Sequence, residues 1–165
     1  MSNTAPDTAA AEIDVKAPDE AATLALAARI AAILRAGDVV TLTGPLGAGK
    51  STLARAILRA LGEEGEVPSP TFTLVQTYAP AGAAVPVHHF DCYRLAGPED
   101  ARELDMEDAF ATGISVIEWA ENIAALLPAD RLDITITLDD TDDAARTFTL
   151  RGRGTWSPRV KEVSA

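Results

Sequence analysis

Apolar positions recur along this chain with two periods, and the switches between them mark out its elements. In PDEAATLALAARIAAILRAG, Leu26, Ile30, Ile33 and Leu34 fall on one face of a 3.6-residue repeat, and Gly37 stands just past the end; this predicts a helix closed by glycine. DVVTLTG at 38–44 is continuously apolar or β-branched, as a strand buried on both faces should be. STLARAILRALG returns to the helical period and closes at Gly62. Short strands are predicted for IDV at 13–15, TFTLVQTY at 71–78, VPVHHF at 85–90 and ISVIEW at 114–119. GPEDARELDMEDAFATG predicts one or two short helices, with Pro98 suited to a first helical turn, and AENIAALL a helix ending near Pro128. RLDITITLDD and ARTFTLRG alternate on either side of DTDDA, the pattern of a C-terminal β-hairpin.

Strands alternating with helices give an α/β class, and the hairpins make its sheet mixed rather than purely parallel. Neither an internal repeat nor a linker interrupts the pattern, so residues 12–152 are expected to form a single domain. Residues 1–11, rich in Ala, Thr, Asp and Pro, read as a disordered tail, and 153–165 as a flexible C-terminal tail. The length of 165 residues suffices for one sizeable core.

Charge narrows the choice of partner. The formal net charge is −11, whereas gripping a nucleic-acid backbone takes a positive footprint. The basic residues cluster only in RGRGTWSPRVK at 151–161, which reads as a solubilising end. Any role in RNA metabolism is therefore expected to run through proteins, with RNA engaged only indirectly. No apolar run is long enough for a membrane span, and the N-terminus resembles neither a secretory signal nor a transit peptide. With one cysteine, Cys92, no internal disulfide can form, which fits a cytoplasmic location.

The chemistry concentrates in LTGPLGAGKST at 42–52, where Gly44 to Ser51 fit G-x-x-x-x-G-K-[ST] in full, between a predicted strand and a predicted helix. Glycines let the backbone curl so that successive N–H groups of Leu46, Gly47, Ala48, Gly49 and their neighbours point at phosphate oxygens. The helix start adds its positive dipole end, Lys50 reaches the β- and γ-phosphates, and Ser51 offers Mg²⁺ a hard oxygen, with Thr52 next along the helix. The motif alone predicts nucleotide binding. A phosphoryl-transfer site also needs acids for Mg²⁺ and for orienting water, at the carboxyl ends of strands near the loop. Asp91 after VPVHHF and Glu118 at the end of ISVIE occupy such positions. Thr71, closing the proline-braced loop PSPTF, is either a switch-type ligand of the γ-phosphate or Mg²⁺ or simply part of a rigid turn.

Other residues read more plainly. His88 and His89 are adjacent on a strand and face opposite ways, so one core and one surface histidine is expected rather than a zinc site. Cys92 reads as a small core residue, and Trp119 and Trp156 as packing or contact aromatics. The absence of N-K-x-D removes support for guanine recognition, and the lack of an Arg-rich lid weakens a small-molecule kinase reading. No obvious arginine finger is supplied in cis, which implies slow basal hydrolysis open to stimulation by a partner.

Taken in order, GPLGAGKST, VPSPTFTLVQTY, HHFDCYRL and VIEWAEN resemble the TsaE (YjeE) family, the small bacterial ATPases of tRNA threonylcarbamoyladenosine biosynthesis, over about residues 13–150. The resemblance implies a P-loop NTPase fold with a mixed central sheet. It also implies weak Mg²⁺-dependent ATPase activity that depends on a TsaB–TsaD complex, in which TsaD modifies adenosine 37 of tRNA. By matching position it implies a phosphate cradle from Leu46 to Ser51, a switch-like Thr71, Asp91 as a Walker-B-type aspartate and Glu118 on Mg²⁺ or the attacking water. It further implies that Glu20, and with it Glu121, lies near the nucleotide base or ribose. Two other readings compete: a small-molecule phosphotransferase on a P-loop scaffold, and a nucleotide-gated binding module without hydrolysis.

Overall fold

The computed structural model of the protein describes residues 10–70 and 73–163. Seven strands form one sheet: β1 (Ala11–Ala17), β2 (Val39–Thr43), β3 (Val75–Tyr78), β4 (Val87–Asp91), β5 (Ile114–Glu118), β6 (Arg131–Leu138) and β7 (Arg146–Arg153), in the order β1-β7-β6-β2-β5-β4-β3. β2 runs parallel to both β5 and β6, and β4 parallel to β5. The outer pairs β1–β7, β6–β7 and β3–β4 are antiparallel. The sheet is thus mixed, with a parallel centre whose carboxyl ends gather at one rim, where α/β sheets bind ligands.

Helix α1 (Glu20–Ile33) starts where the Asp19 carboxylate accepts from the Ala22 N–H at 2.9 Å, and Glu20 complements the positive end of the helix dipole. Its buried stripe is Thr23, Leu26, Ala27, Ile30 and Ala31; Leu34 already has extended backbone, so the helix stops one residue short of the expected face. Helix α2 (Lys50–Ala60) buries Leu53, Ala54, Ile57 and Leu58, each side chain on the scale of Leu or Ile contributing about 1.5–3 kcal/mol of transfer free energy. α1, α2 and a terminal helix, α4 (Trp156–Val163), share one core with the inward side chains of β2, β6 and β7. A second core lies on the opposite face under α3 (Met106–Thr112) and two 3₁₀ helices, Pro98–Leu104 and Ala120–Leu126. No described helix is long and apolar enough to cross a membrane.

Four expectations change. The segment 153–165 is not a flexible tail across its described part, since α4 buries Trp156, Val160 and Val163 against the first core. β1 begins at Ala11, inside the segment expected to be disordered, and pairs with β7 from that residue on; residues 1–9 lie outside those described. Within TFTLVQTY, β3 begins at Val75, because Leu74 takes a left-handed φ of 67° that breaks the strand; residues 71–72 lie outside those described. The helix expected in AENIAALL is a 3₁₀ segment broken at Ile123.

Candidate functional site

β2 ends at Thr43 and delivers Gly44 to the start of the loop. Gly47 and Gly49 have φ values of 79° and 107°, and a β-carbon at either would meet nothing within 4 Å. Their left-handed backbone turns the loop around an open space, which is the shape a phosphate chain requires. Ala48 is buried behind the loop, and its carbonyl accepts from Arg146 Nε at 2.9 Å. Lys50 opens α2, and its Nζ donates to the carbonyls of Gly44 at 2.7 Å and Pro45 at 2.9 Å. The same ammonium lies 4.1 Å from the centre of the Trp119 ring, a cation–π distance. Burial pushes the Lys50 pKa below its ordinary value, opposed by the carboxylates of Glu118, Glu121 and Asp91.

The two acids picked from the sequence stand side by side. β4 and β5 pair in parallel with Asp91 opposite Glu118, both at strand ends and both buried. Asp91 Oδ1 accepts from the Tyr93 N–H at 3.0 Å. Glu118 Oε1 accepts from Ser51 Oγ at 2.7 Å, joining the first turn of α2 to the end of β5. Lys50, Ser51, Asp91, Glu118, Trp119 and the exposed Leu46 face one cavity of about 370 Å³. Gly47, Gly49 and Thr52 line it as well.

A second cavity, of about 300 Å³, opens on the other side of the loop. Glu20 from α1 and Phe148 from β7 meet Ala48, Gly49 and Thr52 there. Glu20 therefore reaches the neighbourhood of the loop. Glu121 lines a third cavity over the sheet, with Arg131 and Asp133, while its carboxylate still acts on Lys50. Thr71 lies outside the described residues.

Sequence reasoning missed one member of the site. His89 was expected to be one of a core-and-surface pair, and it is buried; its Nε2 lies 2.6 Å from Glu118 Oε2. The signal was in the chain, since strand alternation puts residues two apart on the same face, and His89 is two before Asp91. Arg146 behind the loop carried no such signal, being 98 residues from Ala48. Cys92 is fully buried with its thiol pushed up to about 12, by burial first and then by Asp91, Glu121 and Glu118, which fits a core residue.

The donor set fits a hard cation. The Ser51 hydroxyl and the Asp91 and Glu118 carboxylates are oxygen ligands, and Mg²⁺ takes one or two carboxylates together with water and substrate phosphates. The cradle and its lysine fit a polyphosphate.

Comparison with known proteins agrees with this geometry. The family model "Threonylcarbamoyl adenosine biosynthesis protein TsaE" matches residues 17–148. The chain is 42% identical over 132 residues to the tRNA threonylcarbamoyladenosine biosynthesis protein TsaE of Streptomyces coelicolor, covering 78% of this chain and 89% of that one. It is 38% identical over 136 residues to the protein of the same name from Bacillus subtilis, covering 82% of each. The crystal structure of Bacillus subtilis YdiB superposes with a TM-score of 0.79 at 30% identity, over 94% of this chain and 95% of that one. With its phosphate loop between β2 and α2 on a mixed sheet, this chain has the P-loop NTPase fold and belongs to the TsaE family.

Proposed function

We propose that this protein binds and hydrolyses ATP in the cytoplasm and supports formation of threonylcarbamoyladenosine at position 37 of tRNA, acting through a TsaB–TsaD complex. The observation that carries the reading is the meeting of Lys50, Ser51, Asp91 and Glu118 at one open glycine cradle, in a chain of the TsaE family. A net charge of −11 favours engagement of a basic protein face over direct grip on tRNA.

In this reading the triphosphate enters the loop, and phosphate oxygens replace the Gly44 and Pro45 carbonyls as acceptors for Lys50. Backbone N–H groups from Leu46 to Ser51 hold the phosphates, and the cavity between Glu20 and Phe148 receives the ribose and base. Ser51, with Asp91 and Glu118, would hold Mg²⁺, which when bound neutralises charge on the transferring phosphoryl group. Glu118 also stands where a carboxylate can orient the attacking water, and Thr71 acts as the switch-type threonine. With no arginine from this chain assigned to the transition state, basal turnover is slow and the protein partner raises it.

The test is ATP hydrolysis by the purified chain, alone and with cognate TsaB and TsaD. Weak activity alone and strong stimulation by the pair is the expected result; absence of stimulation by active partners overturns the reading. Lys50→Ala is expected to remove nucleotide-dependent support of tRNA modification while leaving the fold intact, and full support by that variant would show that ATP use is not its role.

A further inference from the structure

The side of Glu118 that faces away from the phosphate loop is held by an imidazole for which the proposed reaction has so far no use. We propose that His89 is a positioning residue: its Nε2–H fixes Glu118 Oε2, so that Oε1 is presented to Ser51 Oγ at the phosphate cavity. The inference rests on the ATPase reading, in which Glu118 works beside the phosphates.

The three groups form a continuous chain from the sheet to the cavity, His89 Nε2 to Glu118 Oε2 at 2.6 Å and Glu118 Oε1 to Ser51 Oγ at 2.7 Å. His89 is 1% exposed and Glu118 2% exposed, so the contact between them is buried. A carboxylate buried without donors is strongly unfavourable, and Glu118 meets that requirement with one donor on each oxygen. The hydrogen can be placed as well. A carboxylate oxygen only accepts, while His89 Nδ1 is buried and has no hydrogen-bond partner among the described residues; the ring N–H therefore belongs on Nε2.

The backbone makes the contact reproducible. β4 and β5 are neighbouring parallel strands with His89 opposite Val116 and Asp91 opposite Glu118. His89 thus sits one strand repeat below the pair of acids, on their face, and approaches the Glu118 carboxylate from the floor of the site. A glutamate at the end of a strand has three side-chain torsions to fix, and an anchor on one oxygen orients the other. Groups that orient a ligand or reacting side chain in this way typically change metal affinity or activity about 10- to 100-fold when removed.

Three substitutions separate this role from simple filling of space. His89→Gln keeps an N–H donor near the Nε2 position, His89→Asn moves the donor towards the Nδ1 position, and His89→Phe keeps a ring with no donor. With TsaB and TsaD present, kcat is expected to fall about 10- to 100-fold in the Asn and Phe variants and to recover largely in the Gln variant. Affinity for ATP without Mg²⁺ is expected to stay near that of the unsubstituted protein in all three. A readout free of activity is long-range ¹H–¹⁵N NMR of the ligand-free protein, in which the His89 ring is expected to carry its proton on Nε2 and to shift in Glu118→Ala. Full kcat in His89→Phe, equal loss in the Gln and Asn variants, or a ring proton on Nδ1 overturns the proposal. If the Phe and Asn chains do not fold, the NMR assignment and the Gln variant decide it. Absence of hydrolysis by the unsubstituted protein with active partners overturns the ATPase reading instead, and the proposal with it, whatever the NMR shows.

Discussion

Gly44 enters the phosphate loop at φ 155°, and a β-carbon there would lie 2.8 Å from the carbonyl oxygen of Ile136 on β6. That contact is with backbone, so neither partner yields easily. Gly44→Ala is expected to push the loop entrance off β6 and weaken nucleotide binding about 5- to 100-fold with the secondary structure intact, strain at such positions costing about 1–3 kcal/mol. Titration with a fluorescent ATP analogue, beside circular dichroism, checks both halves. At this scale much of the site was legible. The spacing of Gly44, Gly49, Lys50 and Ser51 named the loop, and strand ends named Asp91 and Glu118, because that chemistry demands those residue types at fixed offsets. His89 was legible only in part: alternation placed it on the face of Asp91, but its partner came from a different strand.

Helix α4 shows where element-scale reading failed. TWSPRVK looked like a basic, solubilising end, yet Arg159 is nearly buried and forms a two-pronged ion pair with Asp38, at 2.7 and 2.8 Å. A third bond runs from Arg159 to the Ile33 carbonyl at the end of α1, and the guanidinium lies 3.9 Å from the centre of the Trp156 ring. One side chain therefore ties α4 to the end of α1 and the start of β2. Arg159→Ala strands a buried carboxylate and is expected to cost about 3–5 kcal/mol, read as a lower midpoint in urea unfolding. Loss below about 1 kcal/mol would mean that Asp38 is served by the Arg35 N–H alone, which it accepts at 2.8 Å. Local sequence carried no sign of this ion pair, since the two residues are 121 apart, and on the buried face of α4, formed by Trp156, Arg159, Val160 and Val163, one position is an arginine that reads as a surface charge. β3 failed for the opposite reason: its alternation was correct, but a backbone turn at Leu74 overrode it.

Across the whole molecule, the face of β6 and β7 opposite α1, α2 and α4 carries polar side chains, organised around Asp133. Burial raises the pKa of its carboxyl, but the Thr41 hydroxyl, then Arg153 and Arg131, outweigh burial and hold it below its usual value of 3.8. A carboxyl lowered on folding stabilises the fold fully above that value and loses its contribution as the pH falls through the lower, folded-state value. Stability is therefore expected to decline below about pH 3.8, and Asp133→Asn to flatten that decline while lowering stability at neutral pH; urea unfolding across pH 2.5–7 measures both. Hydrophobic periodicity alone determined the α/β class, the mixed sheet and most element positions, because burial of one face is a local demand that each segment must meet by itself. The loop motif likewise determined its own place between β2 and α2. Beyond the β6–β7 hairpin, only the tertiary structure decided which strands became neighbours, and hence that His89, Glu118 and Ser51 form one chain, that Glu20 and Glu121 line different cavities, and that Arg159 closes the molecule on Asp38. Those contacts join residues dozens to more than a hundred positions apart, and their energies depend on strand order and register, which no local pattern specifies.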